Sequence, residues 1–345
     1  MEKEMQKFTL AIISFLCISF FMSCTPSPIP HKTQTALNTV CTIQLFEYGT
    51  EKIYTKIFDR LDEIEKKLSV TISSSEIAHV NKAAGSFPVK VSADTFFLIE
   101  ASLSFAEQSR SAFNPAMGPL VSLWNITGFN PLEDSIPLPE QVREALQKTD
   151  YSKIILNKDA ETVFLQEEEM ALDLGGIAKG WAADELVKIL SDNKIPYAII
   201  NLGGNIYAYG SKDTGEAWNI GIKNPFDSNA PPVIRIETYS ASIVTSGVYE
   251  RFFMKDGIMY HHILDSVTGY SVQNDLVSVT IVDPSSMTAD ALSTLVFALG
   301  REKGLEYMND KKIKGILITK DYEVYASDVL RDSIEILDSA FILIN

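Results

Sequence analysis

Cysteine is scarce in this chain, with three residues, Cys17, Cys24 and Cys41, among 345. Cys17 lies in an N-terminal apolar segment that we expect to be cleaved off, and Cys24 directly follows that segment and is a candidate for lipid attachment. Cys41 then has no internal partner, so the sequence predicts no structural disulfide in the processed monomer. We expect stability to come from packing and from any bound metal.

Basic residues are outnumbered, with 30 Lys and Arg against 45 Asp and Glu and a net charge of −15. This balance argues against a nucleic-acid partner, because binding a phosphate backbone needs clustered Lys and Arg. The sequence also lacks a Gly-x-Gly-x-x-Gly turn after a strand and a Walker loop. These absences argue against the nucleotide-binding folds that use those motifs. An acidic protein that binds an acidic ligand needs a metal or a local positive pocket.

The N-terminus predicts export. Lys3 and Lys7 precede an apolar run over residues 8–22, which is short for a membrane span and typical of a signal peptide. Residues 21–24, Phe-Met-Ser-Cys, resemble a bacterial lipobox, in which cleavage leaves Cys24 to carry a lipid such as palmitate. The alternative is an ordinary signal peptide with an incidental cysteine.

We assign residues 1–23 to a lipoprotein signal peptide and residues 24–35, which begin with a proline-rich stretch, to an extended tether. A lipid at Cys24 would anchor the protein in the bacterial cell envelope, facing the periplasm or another extracytoplasmic space. Residues 36–345 show no repeat and no second linker, so we interpret them as one catalytic domain.

Hydrophobic periodicity predicts the elements of this domain. The predicted helices cover residues 51–67, a segment capped by Ser92 and Asp94 that ends before Asn114, and residues 137–148, 176–190 and 288–299. The predicted strands are 40–46, 153–157, 161–165, 197–202, 218–222, 233–239, 242–245, 277–282, 315–319 and 323–326, with Lys158 and Asp159 as a two-residue hairpin turn. Strands mixed with segregated helices favour an α+β fold with largely antiparallel sheets.

Residues 173–180, Asp-Leu-Gly-Gly-Ile-Ala-Lys-Gly, form the most specific motif. Glycine has no Cβ, so Gly175 and Gly176 let the main chain approach a ligand at the start of a helix, where free N–H groups favour anions. Lys179 adds a cation for a phosphate. The alternative is a tight turn with a solvated lysine.

Asp290 and Thr294 are four residues apart, so on a helix they project from one face. Two hard oxygens on one face suit half of a Mg²⁺ site. The alternative, which the segment taken alone favours, is that Asp290 is a first-turn acid that interacts with the helix dipole and Thr294 only fills space. His262, close in sequence to Asp265, is a candidate to accept a proton or to stabilise phosphate charge. A structural role for His262 remains open, as it does for the glycines of residues 201–206 and for the turn 245–247.

These segments together resemble the ApbE family of FAD:protein FMN transferases. The resemblance runs from about Leu37 to the C-terminus. It is carried by six motifs in order: residues 113–124, 173–184, 201–204, 245–247, 262–269 and 289–294. It implies an ApbE-like, T-fold-like catalytic domain that uses Mg²⁺ to split FAD and move FMN onto a threonine hydroxyl of a partner, releasing AMP. The family points to a membrane electron-transport subunit as the acceptor.

The resemblance also implies residue roles. Asp290, Thr294 and the Gly176 carbonyl would bind the metal, and His262 and Asp290 would be catalytic. The residues that would hold the flavin nucleotide are Leu37, Ala112, Phe113, Asn114, Asp173, Lys179 and Leu264.

The chain departs from the family pattern at three places. It has Leu37-Asn-Thr39 where the family often has Met-Gly-Thr, Thr71 where many members have tyrosine, and Ser266-Val267 in place of Pro-Arg. A missing ring removes a stacking surface worth about 1 kcal/mol. Two alternatives to transfer therefore stay open: a Mg²⁺-dependent FAD pyrophosphatase that forms FMN and AMP, and a flavin-binding lipoprotein without catalysis.

Overall fold

A computed structural model of the chain describes residues 31–130 and 135–344. The predicted signal peptide and residues 24–30 of the predicted tether lie outside the described residues. Within the described ranges, no helix is both long enough and apolar enough to cross a membrane.

Helices and strands alternate irregularly along the described chain. The helices are α1 (Glu51–Leu68), α2 (Glu76–Lys82), α3 (Ala93–Ser109), α4 (Gly118–Trp124), α5 (Pro139–Leu146), α6 (Ala178–Asp192), α7 (Ser286–Leu299) and α8 (Arg301–Asp310). The strands are β1 (Lys32–Ala36), β2 (Thr39–Leu45), β3 (Val89–Lys90), β4 (Ile154–Asn157), β5 (Thr162–Leu165), β6 (Ala198–Leu202), β7 (Asn205–Tyr209), β8 (Trp218–Ile222), β9 (Ile234–Thr238), β10 (Ala241–Gly247), β11 (Phe252–Lys255), β12 (Ile258–His261), β13 (Leu276–Asp283), β14 (Lys314–Thr319), β15 (Glu323–Ala326), β16 (Ile334–Ile336) and β17 (Ile342–Leu343).

A nine-stranded sheet in the order β1-β2-β6-β7-β10-β13-β14-β15-β17 organises the fold. Its neighbours pair antiparallel except β15 and β17, which are parallel. Three smaller sheets, β16-β9-β8, β3-β5-β4 and β11-β12, accompany it. The predicted α+β class with largely antiparallel sheets is confirmed.

The helices cover the sheet with the apolar faces that the sequence predicts. Helix α1 begins at the cap Thr50, whose hydroxyl accepts the N–H of Ile53, and it buries the stripe Ile53, Ile57, Leu61, Ile64 and Leu68. Helix α7 packs against β10, β13 and α6. In that position, Ser286, Asp290 and Ser293 of α7 are buried.

The N-terminal boundary differs from the expectation. Strand β1 pairs antiparallel with β2, so from Lys32 onward the chain belongs to the compact unit rather than to a tether that ends at residue 35. Leu37 and Asn38 join the two strands with φ values of 53° and 57°. Two consecutive residues of positive φ match the tight turn that suits the strand twist, although Leu37 is not a typical residue there.

The second hairpin turn was predicted too short. Strand β4 ends at Asn157 and β5 begins at Thr162, so four residues connect them instead of two. The Asn157 side chain accepts the N–H of Ala160 at 3.1 Å, and Glu161 takes a positive φ of 50°. These features stabilise the longer loop in place of a turn at Lys158 and Asp159.

Trp124 joins α4 to the segment that carries His262. The ring is fully buried, its Nε1 donates to the Gly269 carbonyl at 2.7 Å, and it lies against Tyr260 and Tyr270 with centroids 5.4 and 5.5 Å away. This contact holds the end of β12 and the following turn on the helical layer.

Replacing Trp124 by Phe is expected to lower the free energy of unfolding by about 1–3 kcal/mol, because the buried Gly269 carbonyl loses its donor. Urea denaturation measures the change. Val121→Ala on the exposed side of α4 serves as the control and should stay within about 0.5 kcal/mol of the parent. Parent-like stability of Trp124→Phe would contradict the prediction.

Candidate active site

Helices α6 and α7 approach so closely that only glycine fits between them. A methyl group placed on Gly180 would lie 2.2 Å from the Ser286 carbonyl oxygen and 2.7 Å from Asp290 Cβ. The Gly180 N–H donates to Asp290 Oδ2 at 2.9 Å. The absence of a side chain at Gly180 therefore brings the Asp290 carboxylate against the backbone of α6.

Gly176, in the turn before α6, lies beside the second oxygen ligand predicted on α7. A methyl group on Gly176 would lie 3.4 Å from Thr294 Oγ1 and 3.2 Å from the Phe113 ring. The Thr294 hydroxyl donates to the Asp290 carbonyl at 3.4 Å, so both α7 residues face the same side. The structure thus gathers Gly176, Asp290, Thr294 and Phe113 in one small region.

Lys179 places a cation at this region. Its Nζ lies 3.8 Å from Asp290 Oδ1 and 3.5 Å from the Gly175 carbonyl. The Asp290 side chain is only 4% exposed, and a buried carboxylate is costly unless it is paired. Lys179 and the Gly180 N–H provide that compensation.

Oxygen atoms dominate the possible ligands here. Among residues 31–130 and 135–344, no three His, Cys, Asp or Glu side chains gather as a metal-binding group. The set formed by Asp290, the Thr294 hydroxyl and the Gly176 backbone contains only one such side chain. A carboxylate, a hydroxyl and a carbonyl are hard donors of the kind that Mg²⁺ takes together with water.

The residues predicted to hold the flavin are placed by internal hydrogen bonds. Asp173 Oδ1 accepts the Gly175 N–H at 2.7 Å and so shapes the turn before α6. Asn114 donates from Nδ2 to the Thr149 carbonyl at 2.9 Å, and its Oδ1 accepts from Ala116 at the same distance. Asn114 thus fixes the backbone that directly follows Phe113, and Asp173 fixes the turn in which Gly176 lies beside the Phe113 ring.

Ala112 and Leu264 lie on two loops that one hydrogen bond connects. Ser266 Oγ donates to the Ser111 carbonyl at 2.6 Å, while Leu264 pairs with Ser271 in an isolated bridge. The Asp265 carboxylate accepts the N–H groups of Val267 and Thr268, so it stabilises its own turn.

A cleft of about 540 Å³ includes Lys179 in its wall. Its lining residues are Asn38, Thr39, Lys179, Asn201, Gly203, Gly204, Ile206, Gly221, Ile222, Lys223, Ile243, Thr245, Tyr249, Glu250 and Arg251. The glycine motif of residues 201–204 and Thr245 therefore border this cleft. Leu37 directly precedes Asn38 and Thr39 in the β1–β2 turn.

His262 contacts Arg251, which is one of the residues that line this cleft. Its Nδ1 lies 3.3 Å from the Arg251 carbonyl, and its backbone N–H donates to the same oxygen at 3.1 Å. Because a carbonyl only accepts, Nδ1 carries the proton in this contact and Nε2 keeps its lone pair. Burial, together with the nearby charges of Arg251 and Lys179, holds the pKa of His262 well below its usual value. The ring is thus a neutral base rather than the cation that the sequence allowed.

Lys179 is one of four charged residues that line the cleft, and sequence reasoning missed the other three, Lys223, Glu250 and Arg251. Desolvation raises the pKa of Glu250 above its usual value, and the charge of Asp290 contributes to the shift. Residues 249–251 begin two positions after the Thr-Ser-Gly segment, so that motif was the one sequence signal that could have pointed to Glu250 and Arg251. Lys223 follows an ordinary strand and carried none.

The family model described as the ApbE family matches residues 37–317. This chain belongs to the ApbE family. The chain is 37% identical over 330 residues to the FAD:protein FMN transferase of Treponema pallidum, with 90% of each protein covered. It is 38% identical over 296 residues to a protein of the same name from Klebsiella pneumoniae, with 86% of this chain and 91% of that protein covered.

Solved ApbE structures share the fold. The ApbE protein of Thermotoga maritima has a TM-score of 0.81 at 30% identity, with 88% of this chain and 98% of the other covered. The flavin transferase ApbE of Vibrio cholerae has a TM-score of 0.79 at 28% identity, with the same two coverages. The family and the ApbE-like fold expected from the sequence are confirmed, as is membership of an enzyme family.

Gly180→Ala is expected to force α6 and α7 apart, because the new methyl group would overlap the Ser286 carbonyl. Overpacking of this kind typically costs about 1–3 kcal/mol. Thermal unfolding measures the loss, with Ser191→Ala at an exposed position of α6 as the control. An unchanged unfolding temperature in Gly180→Ala would contradict the close packing.

The lowered pKa of His262 predicts a pH dependence of stability. Unfolded histidine titrates near pH 6.5, whereas the folded protein resists protonating His262. The unfolded state therefore binds more protons below about pH 6.5, and stability should fall as the pH is lowered through that point. Urea denaturation between pH 8 and pH 5 should show a shallower decline for His262→Gln, and an equal decline in both proteins would refute the assignment.

Proposed function

We propose that this chain transfers FMN from FAD to a threonine hydroxyl of another protein and releases AMP, in a reaction that depends on Mg²⁺. The observation that carries the proposal is the convergence of Asp290, Thr294 and the Gly176 backbone beside Lys179. Relatives that the chain matches over most of their length are named FAD:protein FMN transferases, which supports the choice of substrate.

Asp290, Thr294 and the Gly176 carbonyl would hold the Mg²⁺. The buried Asp290 carboxylate supplies the negative charge, and the Thr294 hydroxyl and a backbone carbonyl add neutral oxygens of the type Mg²⁺ prefers. When bound, the ion would neutralise charge on the diphosphate and polarise its phosphoryl oxygens.

The transfer balances as one displacement at phosphorus. The threonine oxygen forms a bond to the phosphorus of the FMN half, the bond from that phosphorus to the bridging oxygen breaks, and AMP leaves with the bridging oxygen. The threonine proton goes to Nε2 of His262, which the Arg251 carbonyl leaves with a free lone pair. Lys179 supplies a cation for the phosphate oxygens that carry the developing charge.

Water in place of the threonine would give FMN and AMP, which is the pyrophosphatase alternative. Thr71, at the position where the family pattern often has tyrosine, is exposed, and its hydroxyl contacts Ser69 Oγ at 3.0 Å. Without a ring at this position, less of the flavin would be covered, which favours release of FMN. The two reactions share every residue proposed for the phosphorus chemistry, so they differ in the acceptor alone.

We also propose that the protein works at the bacterial cell envelope, anchored by lipid at Cys24, with a membrane electron-transport subunit as its acceptor. The support is the lipobox-like segment 21–24 and the proline-rich stretch that follows it. Metabolic labelling with a palmitate analogue tests the anchor, since Cys24→Ser should abolish labelling.

Asp290→Asn is the test of the metal site. Asparagine keeps an oxygen for the Gly180 N–H but removes the charge, so the fold should survive while the reaction loses several kcal/mol of charge stabilisation. We expect AMP release from FAD in the presence of Mg²⁺ to fall by about a hundredfold or more. Chromatography measures AMP, and mass spectrometry measures FMN added to a threonine-containing acceptor.

Asp192→Asn, an exposed acid at the end of α6, serves as the control and should keep parental activity. Parent-like AMP release by Asp290→Asn would overturn the proposed metal site. AMP release without any labelling of acceptors would favour the pyrophosphatase, and FAD that stays intact in the parent protein would favour a binding protein without catalysis.

A further inference from the structure

The start of α7 is held by a carboxylate that belongs to α6. Asp184 Oδ1 accepts the Ser286 N–H at 2.7 Å, and Asp184 Oδ2 accepts the Met287 N–H at 3.0 Å and the Ser285 hydroxyl at 2.9 Å. Ser285 is itself the cap of α7, since its Oγ accepts the Thr288 N–H. Asp184 thus satisfies donors at the helix start that the cap residue alone does not reach.

This contact lies one helical turn from the candidate metal site on both helices. On α6, Asp184 follows Gly180 by four residues, and on α7, Asp290 follows Ser286 by four. Gly180 contacts both Ser286 and Asp290. The two helices are therefore joined at two consecutive turns, which fixes both their separation and their register.

A shift of α7 along α6 would break both connections together. The donors at the start of α7 would leave the Asp184 carboxylate, and Asp290 Oδ2 would leave the Gly180 N–H. Thr294, one further turn along α7, would then move away from Gly176. Because the interior of a protein is closely packed, even a small displacement of α7 would be transmitted to the side chains that it carries.

We propose that Asp184 is a positioning residue for metal binding: it fixes the start of α7 on α6, so that Asp290 and Thr294 face the Gly176 backbone. The proposal rests on the proposed function in taking Asp290 and Thr294 as Mg²⁺ ligands. Both Asp184 oxygens already accept hydrogen bonds from the start of α7, so the role proposed here is indirect.

The fold contains a matched arrangement away from the site. Glu76 on α2 accepts the Ser92 N–H and the Ser92 hydroxyl, both at 2.9 Å, at the start of α3. Here too a carboxylate from one helix holds the cap of the next, but α3 carries none of the proposed metal ligands. Glu76→Ala therefore measures the effect of losing a carboxylate from one helix that binds the start of another, at a place away from the proposed metal ligands.

The experiment compares Asp184→Ala with Glu76→Ala in the full-length protein. Both variants should unfold at a lower temperature than the parent, because each loses hydrogen bonds at a helix start. Calorimetric titration of the metal-free proteins with Mg²⁺ should separate them. We expect Asp184→Ala to bind Mg²⁺ about tenfold or more weakly than the parent, because losing a residue that supports metal ligands typically lowers metal affinity by that much. Glu76→Ala should bind Mg²⁺ like the parent.

Asp184→Asn provides a second variant of unchanged size. Its one remaining carbonyl oxygen can still accept the Ser286 N–H, while the amide group cannot accept the Met287 N–H. Its Mg²⁺ affinity should lie between those of the parent and Asp184→Ala. If Asp184→Ala does not fold, Asp184→Asn decides the question by the same comparison.

Parent-like Mg²⁺ affinity in the Asp184 variant that folds, together with an unfolding temperature lowered as in Glu76→Ala, would overturn the proposal. Asp290→Asn, titrated in parallel, reports on the metal site itself. Weak binding by Asp290→Asn with normal binding by the Asp184 variant would reject only the positioning role. Normal binding by Asp290→Asn would reject the metal site and the positioning role together.

Discussion

The contact between α6 and α7 at Gly180 determines the geometry of the candidate active site. No other residue could occupy this position without displacing Ser286 or Asp290, because even a methyl group would come within 2.2 Å of a carbonyl oxygen. The hydrogen bond from Gly180 to Asp290 then gives a nearly inaccessible carboxylate a donor, and bonds to charged groups contribute about 1.5–3 kcal/mol. Close packing and electrostatics thus depend on the same missing side chain.

The large sheet holds the other side of α7 with hydroxyl groups. Ser286 Oγ accepts from Ser242 at 2.7 Å, and Ser293 and Ser246 contact each other at the same distance. Strand β10 provides both Ser242 and Ser246, so it is tied to α7 at the start and near the middle of the helix. Apolar contacts alone would allow the helix to slide, whereas directional bonds between buried hydroxyls specify one register.

Local patterns explain why much of the fold was predictable. The apolar stripe of α1 and the limits of β8 and β15 follow from spacing within a few residues, and the structure matches them. Strand β1 was missed because its sequence, Lys-Thr-Gln-Thr-Ala, shows no apolar alternation and is stabilised by pairing with β2. The β1–β2 turn was missed because neither Leu37 nor Asn38 is glycine.

The site was predictable to the extent that its residues lie in short motifs. The types and spacing of Gly176, Asp290 and Thr294 singled them out, and the fold places them close together; their role as metal ligands stays a prediction. Asp184 contacts Ser286, 102 positions away, and Arg251 contacts His262, 11 positions away. No local sequence pattern predicts contacts between residues so far apart. Long-range partners of this kind are fixed only when the helices and strands have packed.

The cleft concentrates positive charge in a chain whose net charge is −15. Lys179, Lys223 and Arg251 line it, and Glu250 is the one acid among its lining residues in the described part of the chain. Desolvation raises the pKa of Glu250, so burial opposes the negative charge of this side chain. The three cations border the cleft, whereas Asp290 is buried and lies 3.8 Å from Lys179 Nζ, so an anion that enters the cleft would meet positive charge first.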